Sequence, residues 1–133
     1  MNKIGIKSIE KIISLIEQLR GENGCPWVKQ ETFVKHFEEL KKEIQELEDA
    51  HKNNDINNLE EELGDVLWDI LMLIKISEDE YEFKIEDIAD KICDKIIRRS
   101  PHIFGNEKAE TPEEVNKIWN RIKKEEKNNG LKN

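Results

Sequence analysis

Residues 55–74 read D-I-N-N-L-E-E-E-L-G-D-V-L-W-D-I-L-M-L-I, and this stretch decides the fold. Leu59, Leu63, Val66, Leu67, Ile70, Leu71 and Ile74 recur at steps of three and four, the spacing that lays apolar side chains along one side of a helix. Asp55 precedes them and can cap the helix by accepting from an N–H of the first turn. Apolar positions are so dense here that the helix reads as the most buried of the chain. It nevertheless carries Glu62, Asp65 and Asp69 at the same three-and-four spacing. Like charges one turn apart repel, so this acidic stripe asks for a partner.

Upstream, Phe33, Phe37, Leu40, Ile44 and Leu47 step by four and three and predict a helix running to about His51, interrupted by the polar run Asn53 to Asn58. Residues three apart differ by about 60° around a helix axis. Glu43 and Glu46 therefore project to one side, flanking that apolar seam, as Glu62 and Asp65 do on the next helix. Two such pairs on sequential antiparallel helices can converge. Further upstream, Ile9, Ile12, Ile13, Ile16 and Leu19 follow Ser8, the expected N-cap, and predict a first helix ending at Gly21 to Gly24. Cys25-Pro26-Trp27 favours a turn or extended connection.

Downstream, Ile85, Ile88, Ala89, Ile92 and Ile96 predict a fourth amphipathic helix that ends before Pro101, with a loop from there to about Glu110. Thr111-Pro112-Glu113-Glu114 supplies a cap, a proline at the first helical position and a glutamate at the third. Val115, Ile118, Trp119 and Ile122 give that fifth helix its stripe. The tail from Glu125 is polar and is expected to fray. With no strand-like alternation and no internal repeat, the expected fold is all-α: a single-domain helical bundle of about five helices with a four-helix core. The folded part should cover about 8–127 within one domain of 1–133, leaving 128–133 as a polar tail.

The bulk numbers agree. A chain of 133 residues is one domain in length. Its longest apolar run, Ile70 to Ile74, is too short for a membrane span, and its first residues lack a secretory signal, so a cytoplasmic location is expected. Cys25 and Cys93 form neither a disulfide framework nor a thiolate zinc pattern. The formal net charge of −8 argues against a nucleic-acid binder, because phosphate backbones are held by excess Lys and Arg. A small polyphosphate bridged by a divalent cation remains compatible with it. Four convergent carboxylates with no His or Cys ligand pattern suit Mg²⁺, or Mn²⁺ as a substitute, better than Zn²⁺. A lone E-x-x-E in a charged helix is usually a solvated face; two pairs on neighbouring helices are not so easily dismissed.

Leu19-Arg20 with Cys25-Pro26-Trp27, then Lys42 to Glu46 as K-E-x-x-E, then Glu61-Glu62-Leu63-Gly64-Asp65, together resemble the MazG family of all-α pyrophosphohydrolases. Asp94 to Gly105 (D-K-I-I-R-R-S-P-H-I-F-G) and Glu113-Glu114-Val115 with Trp119 and Lys123 resemble two later motifs of that family. Each motif is weak alone; five in the right order, spanning about 8 to 127, are specific. The resemblance implies hydrolysis of a nucleoside triphosphate between the α- and β-phosphates, releasing monophosphate and pyrophosphate, as in nucleotide-pool housecleaning. It implies Mg²⁺ held by Glu43, Glu46, Glu62 and Asp65. It also implies substrate-binding roles for Trp27, Lys95, Arg99, Trp119 and Lys123, and a homodimer or higher homo-oligomer.

Arg99 offers a fork for phosphate oxygens, Lys95 and Lys123 point charge, and Trp119 a flat face for a base or else a core anchor. Glu39, one turn before Glu43, is the candidate for orienting or deprotonating the attacking water. Trp68, Met72 and Leu73 are the expected surplus apolar surface for a dimer. Several positions depart from the family pattern: Lys42 and Val28 where acids are common, Ser100 where a His is usual, and Asp69 where an amide is frequent. The competing reading is a non-catalytic acidic helical module that binds a basic partner or an ion, and substrate variants include dUTP, dCTP or a phosphoribosyl-ATP-like nucleotide.

Overall fold

The computed structural model describes residues 1–130. Among these it contains seven helices and no strand: α1 (Lys3–Arg20), α2 (Pro26–Lys29), α3 (Phe33–Lys52), α4 (Ile56–Glu80), α5 (Ile85–Arg99), α6 (Pro101–Phe104) and α7 (Pro112–Asn128). The five long helices are those expected from periodicity. The other two are single turns in segments read as connections. Both begin with proline, whose fixed φ suits a first helical position and whose missing N–H is no loss there. The chain divides into two compact units, one spanning Met1–Ile85 and the other beginning at Glu86.

In the first unit, α3 and α4 make the most extensive helix pair, and α1 and α2 pack around it. The reversal between α3 and α4 takes three residues. Asn54 adopts φ 57°, a left-handed conformation that asparagine tolerates, and Asp55 then caps α4 by accepting from the Asn58 N–H at 3.3 Å. So short a connection makes α3 and α4 antiparallel, which brings the middle of one helix beside the middle of the other. The apolar centre is Ile16, Met72 and Ile76, with Ile12, Val28, Trp68 and Leu71 packed against it. Met72 and Leu73 are thus core residues, 1% and 9% exposed, and not the spare surface expected of them.

The start of α1 also differs from expectation. Asn2 is the N-cap, its side chain accepting from the Gly5 N–H at 2.9 Å. Ser8 lies inside the helix, where its hydroxyl donates to the Ile4 carbonyl. A serine one turn into a helix can satisfy itself this way and so mimics a cap in sequence. At the other end, Gly24 packs so close to the Leu19 carbonyl that no side chain fits, and the Cys25 N–H donates to that same carbonyl at 2.8 Å. This folds the α1–α2 turn tightly back onto α1.

The seam of α3 is rotated from the expected one. His36, Leu40 and Ala50 are buried, with Glu43 and Leu47 half-buried on the same side, whereas Phe33, Phe37 and Ile44 are exposed. Of the expected seam, Leu40 and Leu47 face inward while Phe33, Phe37 and Ile44 do not, because the inward face mixes His36 and Glu43 into an otherwise aliphatic stripe.

In the second unit, Thr111 caps α7 by accepting from the Glu114 N–H, and the Glu114 carboxylate accepts from the Glu110 N–H at 2.7 Å. The return bond of the capping arrangement thus lands one residue earlier than the standard pattern. The segment from Glu125 does not fray as far as it is described: α7 continues to Asn128, and Glu126 is 3% exposed. It is held by Arg98 at 2.7 Å and Arg99 at 2.9 Å. Residues 131–133 of the expected polar tail lie outside the described residues.

Candidate active site

The antiparallel α3–α4 pair brings carboxylates from two helices together. Glu43 of α3 and Glu62 and Asp65 of α4 each offer an oxygen within 4.8 Å of the others. They form a gradient of exposure: Glu62 is buried, Glu43 half-buried and Asp65 exposed. A cluster open on one side in this way can receive a ligand from solvent. Glu46, expected as a fourth member, lies exposed one turn further along α3 and is not part of that group of oxygens. It acts on the cluster through its charge.

The electrostatics are those of a crowded acid site. Burial pushes the Glu43 carboxyl up to about 7, helped by a hydrogen bond shared with Glu62 and by the negative charges of Glu46 and Asp65. One oxygen of Glu43 and one of Glu62 are buried without any hydrogen-bond partner. Buried polar atoms of this kind are uncommon, and leaving them unmatched costs free energy. Hard oxygen donors, clustered, half-exposed and unsatisfied, are the donor set that a divalent cation such as Mg²⁺ or Mn²⁺ takes.

Beside the cluster lies an open cavity of about 790 Å³, a size within the usual range for small-molecule sites. Glu43 and Glu39 border it, as do Trp27, 70% exposed, and the half-buried Trp68. Glu39 is exposed and is paired with Lys42 Nζ at 3.3 Å. The cavity wall also holds three residues whose grouping was not read from the sequence. His36 Nε2 is 2.9 Å from Asp69 Oδ1, and His36 Nδ1 is 3.5 Å from Glu31 Oε2. Burial pushes the Asp69 carboxyl up, while the charge of His36 and its hydrogen bond pull it back down. The sequence did carry a signal for His36: it stands two turns before Glu43, on the same helical face, with Leu40 between them.

The remaining expected residues belong to the second unit. Arg99 is 5% exposed, and its guanidinium grips Glu126 through Nε at 3.4 Å and Nη2 at 2.9 Å. It also lies 5.9 Å from the centre of the half-buried Trp119 ring. Lys95, one turn before Arg99 on α5, and Lys123, one turn after Trp119 on α7, are half-buried. Of these four, Arg99 and Trp119 are brought into ring contact.

Residues 31–104 match the model of the MazG nucleotide pyrophosphohydrolase domain. The chain is 42% identical to the uncharacterized protein YabN of Bacillus subtilis (strain 168), over 86% of this chain and 24% of that protein. It is 36% identical to the nucleoside triphosphate pyrophosphohydrolase of Escherichia coli (strain K12), over 92% of this chain and 47% of that protein. It therefore spans about half of the one relative and about a quarter of the other. The crystal structure of a mazG-related protein from Thermotoga maritima superimposes with a TM-score of 0.77 at 36% identity, covering 86% of this chain and 98% of that one.

Proposed function

Because the chain belongs to the MazG nucleotide pyrophosphohydrolase family, we propose that it hydrolyses nucleoside triphosphates between the α- and β-phosphates, giving the monophosphate and pyrophosphate. The observation that carries this reading is the convergence of Glu43, Glu62 and Asp65, with two buried unmatched carboxylate oxygens, at a point where Glu43 also borders a nucleotide-sized cavity. A Mg²⁺ bound there would supply Lewis-acid polarisation of a phosphoryl oxygen and acidify a water ligand.

The protein's own contribution is positional. Glu43, Glu62 and Asp65 would hold the cation, with Glu46, one turn along α3, as the proposed fourth ligand. Glu39 stands at the cavity edge, where its carboxylate can orient the attacking water or take its proton once Lys42 is released. Trp27 presents a solvent-facing ring on which a base can stack. The roles of Lys95, Arg99, Trp119 and Lys123 in neutralising phosphate charge and contacting the base rest on the family resemblance. Arg99 would have to exchange Glu126 for phosphate to perform its own.

The proposed setting is nucleotide-pool housecleaning in the cytoplasm; no described helix is long and apolar enough to cross a membrane. A homodimer is the proposed assembly. Ile56, Leu63 and Ile70 recur every seven residues along α4 and are 64%, 54% and 44% exposed. Phe33, Phe37 and Ile44 form a similar exposed row on α3. An apolar face of this extent is what a second copy would cover. The test of the activity is product analysis by ³¹P NMR with Mg²⁺. Appearance of monophosphate and pyrophosphate with the wild type, lost in Glu62→Gln, supports the reading; diphosphate with orthophosphate, or no turnover, refutes it.

A further inference from the structure

The wall of the cavity opposite in character to a phosphate site is the group Glu31, His36 and Asp69. We propose that this wall reads the nucleobase, selecting bases that present an exocyclic amino group over those carrying hydrogen or oxygen there. The proposal rests on the reading of the acid cluster as a nucleotide site and adds the class of base it takes.

Three observations carry it. First, His36 and Asp69 are 7% and 6% exposed, yet Asp69 Oδ2 and both ring nitrogens of His36 lack a hydrogen-bond partner of good geometry. His36 Nε2 lies 2.9 Å from Asp69 Oδ1 and Nδ1 3.5 Å from Glu31 Oε2 as charge contacts, which leaves Asp69 Oδ2 with no hydrogen-bond partner of its own. The second Asp69 oxygen is therefore not consumed within the wall, and a buried polar atom in that state awaits a partner.

Second, the chemistry of the wall is unequal. Two carboxylates accept only, and one imidazole cannot supply donors to match them. Around the same cavity Glu38 and Glu39 are each paired with a lysine, Lys41 at 3.0 Å and Lys42 at 3.3 Å, and Lys35 also borders it, so the acceptor character of the wall comes from Glu31 and Asp69. Buried carboxylate oxygens of this kind welcome N–H donors. A triphosphate would place its charged end at the Glu43–Glu62–Asp65 cluster and its base here. Guanine, cytosine and adenine each present an amino group; hypoxanthine and uracil replace that of guanine or cytosine with hydrogen or oxygen. Losing the donor leaves a buried carboxylate oxygen unmatched, the kind of loss by which a binding site discriminates strongly.

Third, the wall is held in place. Arg20, whose side chain is 10% exposed, uses Nη1 to donate to the carbonyls of Val28 at 2.9 Å and Glu31 at 3.3 Å, while its Nε pairs with Asp79 of α4 at 3.1 Å. It thereby ties the segment carrying Trp27 and Glu31 to α4, which also carries Asp69. Pre-organisation of this kind suits a specificity surface better than a solvated patch.

The experiment compares GTP with ITP and CTP with UTP, pairs that differ at the amino position, by kcat/KM with Mg²⁺. In parallel, binding of the four α,β-methylene analogues is followed by Trp fluorescence. The wild type should favour the amino-bearing member of each pair by about tenfold or more. Glu31→Gln and Asp69→Asn should each bring that ratio towards one, with Mn²⁺ affinity measured by EPR unchanged; Glu31, being only half-buried, keeps the test open if Asp69→Asn folds poorly. Equal kcat/KM within both pairs, with hydrolysis intact, overturns the base-reading wall and leaves the hydrolase reading standing. Selective binding of amino-bearing analogues without hydrolysis does the reverse. Failure to bind or hydrolyse any of the four overturns both.

Discussion

Arg99 and Glu126 form a buried two-point ion pair across 27 residues of sequence, with Nη2 to Oε2 at 2.9 Å and Nε to Oε1 at 3.4 Å. Arg98 adds a third contact at 2.7 Å. The pair joins the end of α5 to the end of α7. It explains why a segment that is polar in sequence continues as ordered helix. Breaking such a pair by removing one partner leaves a buried charge uncompensated, which is more damaging than the loss of a surface ion pair.

The first prediction concerns pH. The guanidinium groups of Arg99 and Arg98 hold the Glu126 carboxyl down to about 2, from the usual 4.5. The unfolded chain therefore takes up this proton at higher pH than the folded one. The stabilisation is fully present above pH 4.5 and is lost as pH falls through about 2. Thermal unfolding followed by circular dichroism should show Tm falling across that window. Glu126→Gln should lower Tm at pH 7 and flatten the acid limb; an unchanged limb would count against the pair as the source.

The second prediction concerns the face of α3. Leu40 is 8% exposed, and Leu40→Ala should lose about 2–4 kcal/mol in urea unfolding. Ile44 is 51% exposed, and Ile44→Ser should change the stability of the folded monomer by no more than about 0.5 kcal/mol. The reverse ranking would restore the seam expected from the large apolar residues.

That contrast shows what the sequence disclosed. Helix existence was legible, because apolar spacing over Asp55 to Ile74 or Ile85 to Ile96 leaves little alternative to a helix. The acid pairs were legible for the same reason, since spacing places Glu43 on α3 and Glu62 and Asp65 on α4. What spacing could not show was the rotation of α3. Its inward face carries His36 and Glu43, and a polar pair held by tertiary partners does not register in an apolar count. The Glu31–His36–Asp69 group was hidden likewise, as it needs the α2–α3 segment and α4 to meet. The pairing of Arg99 with Glu126 was not legible, because Glu126 lies in a segment whose polar sequence reads as tail.

The third prediction concerns the exposed row on α4. If a second copy covers Ile56, Leu63 and Ile70, the double substitution Leu63→Glu with Ile70→Glu should raise the dimer dissociation constant at least about tenfold by sedimentation velocity. A wild type that stays monomeric across the concentration range would exclude the dimer altogether.

The fourth prediction concerns the turn that leads to the cavity wall. A side chain at Gly24 would meet the Leu19 carbonyl, and the backbone there cannot give way as a flexible side chain would. Gly24→Ala should cost about 1–3 kcal/mol by forcing the turn open. Nucleotide KM should rise with it, because the displaced segment carries Trp27. Wild-type stability and KM would mean that the turn is more compliant than its packing indicates.

Glu43, Glu62 and Asp65 are together proposed to hold the cation on which the proposed pyrophosphohydrolase activity depends. The most direct test is Mg²⁺-dependent pyrophosphate release from a nucleoside triphosphate by the wild type, Glu62→Gln and Asp65→Asn, with Mn²⁺ binding measured on the same samples. The expected result is turnover in the wild type, lost with EDTA, and a fall of about 100-fold or more in each variant alongside weakened Mn²⁺ binding. Turnover equal to wild type in both variants, or cation binding that neither substitution alters, would contradict it.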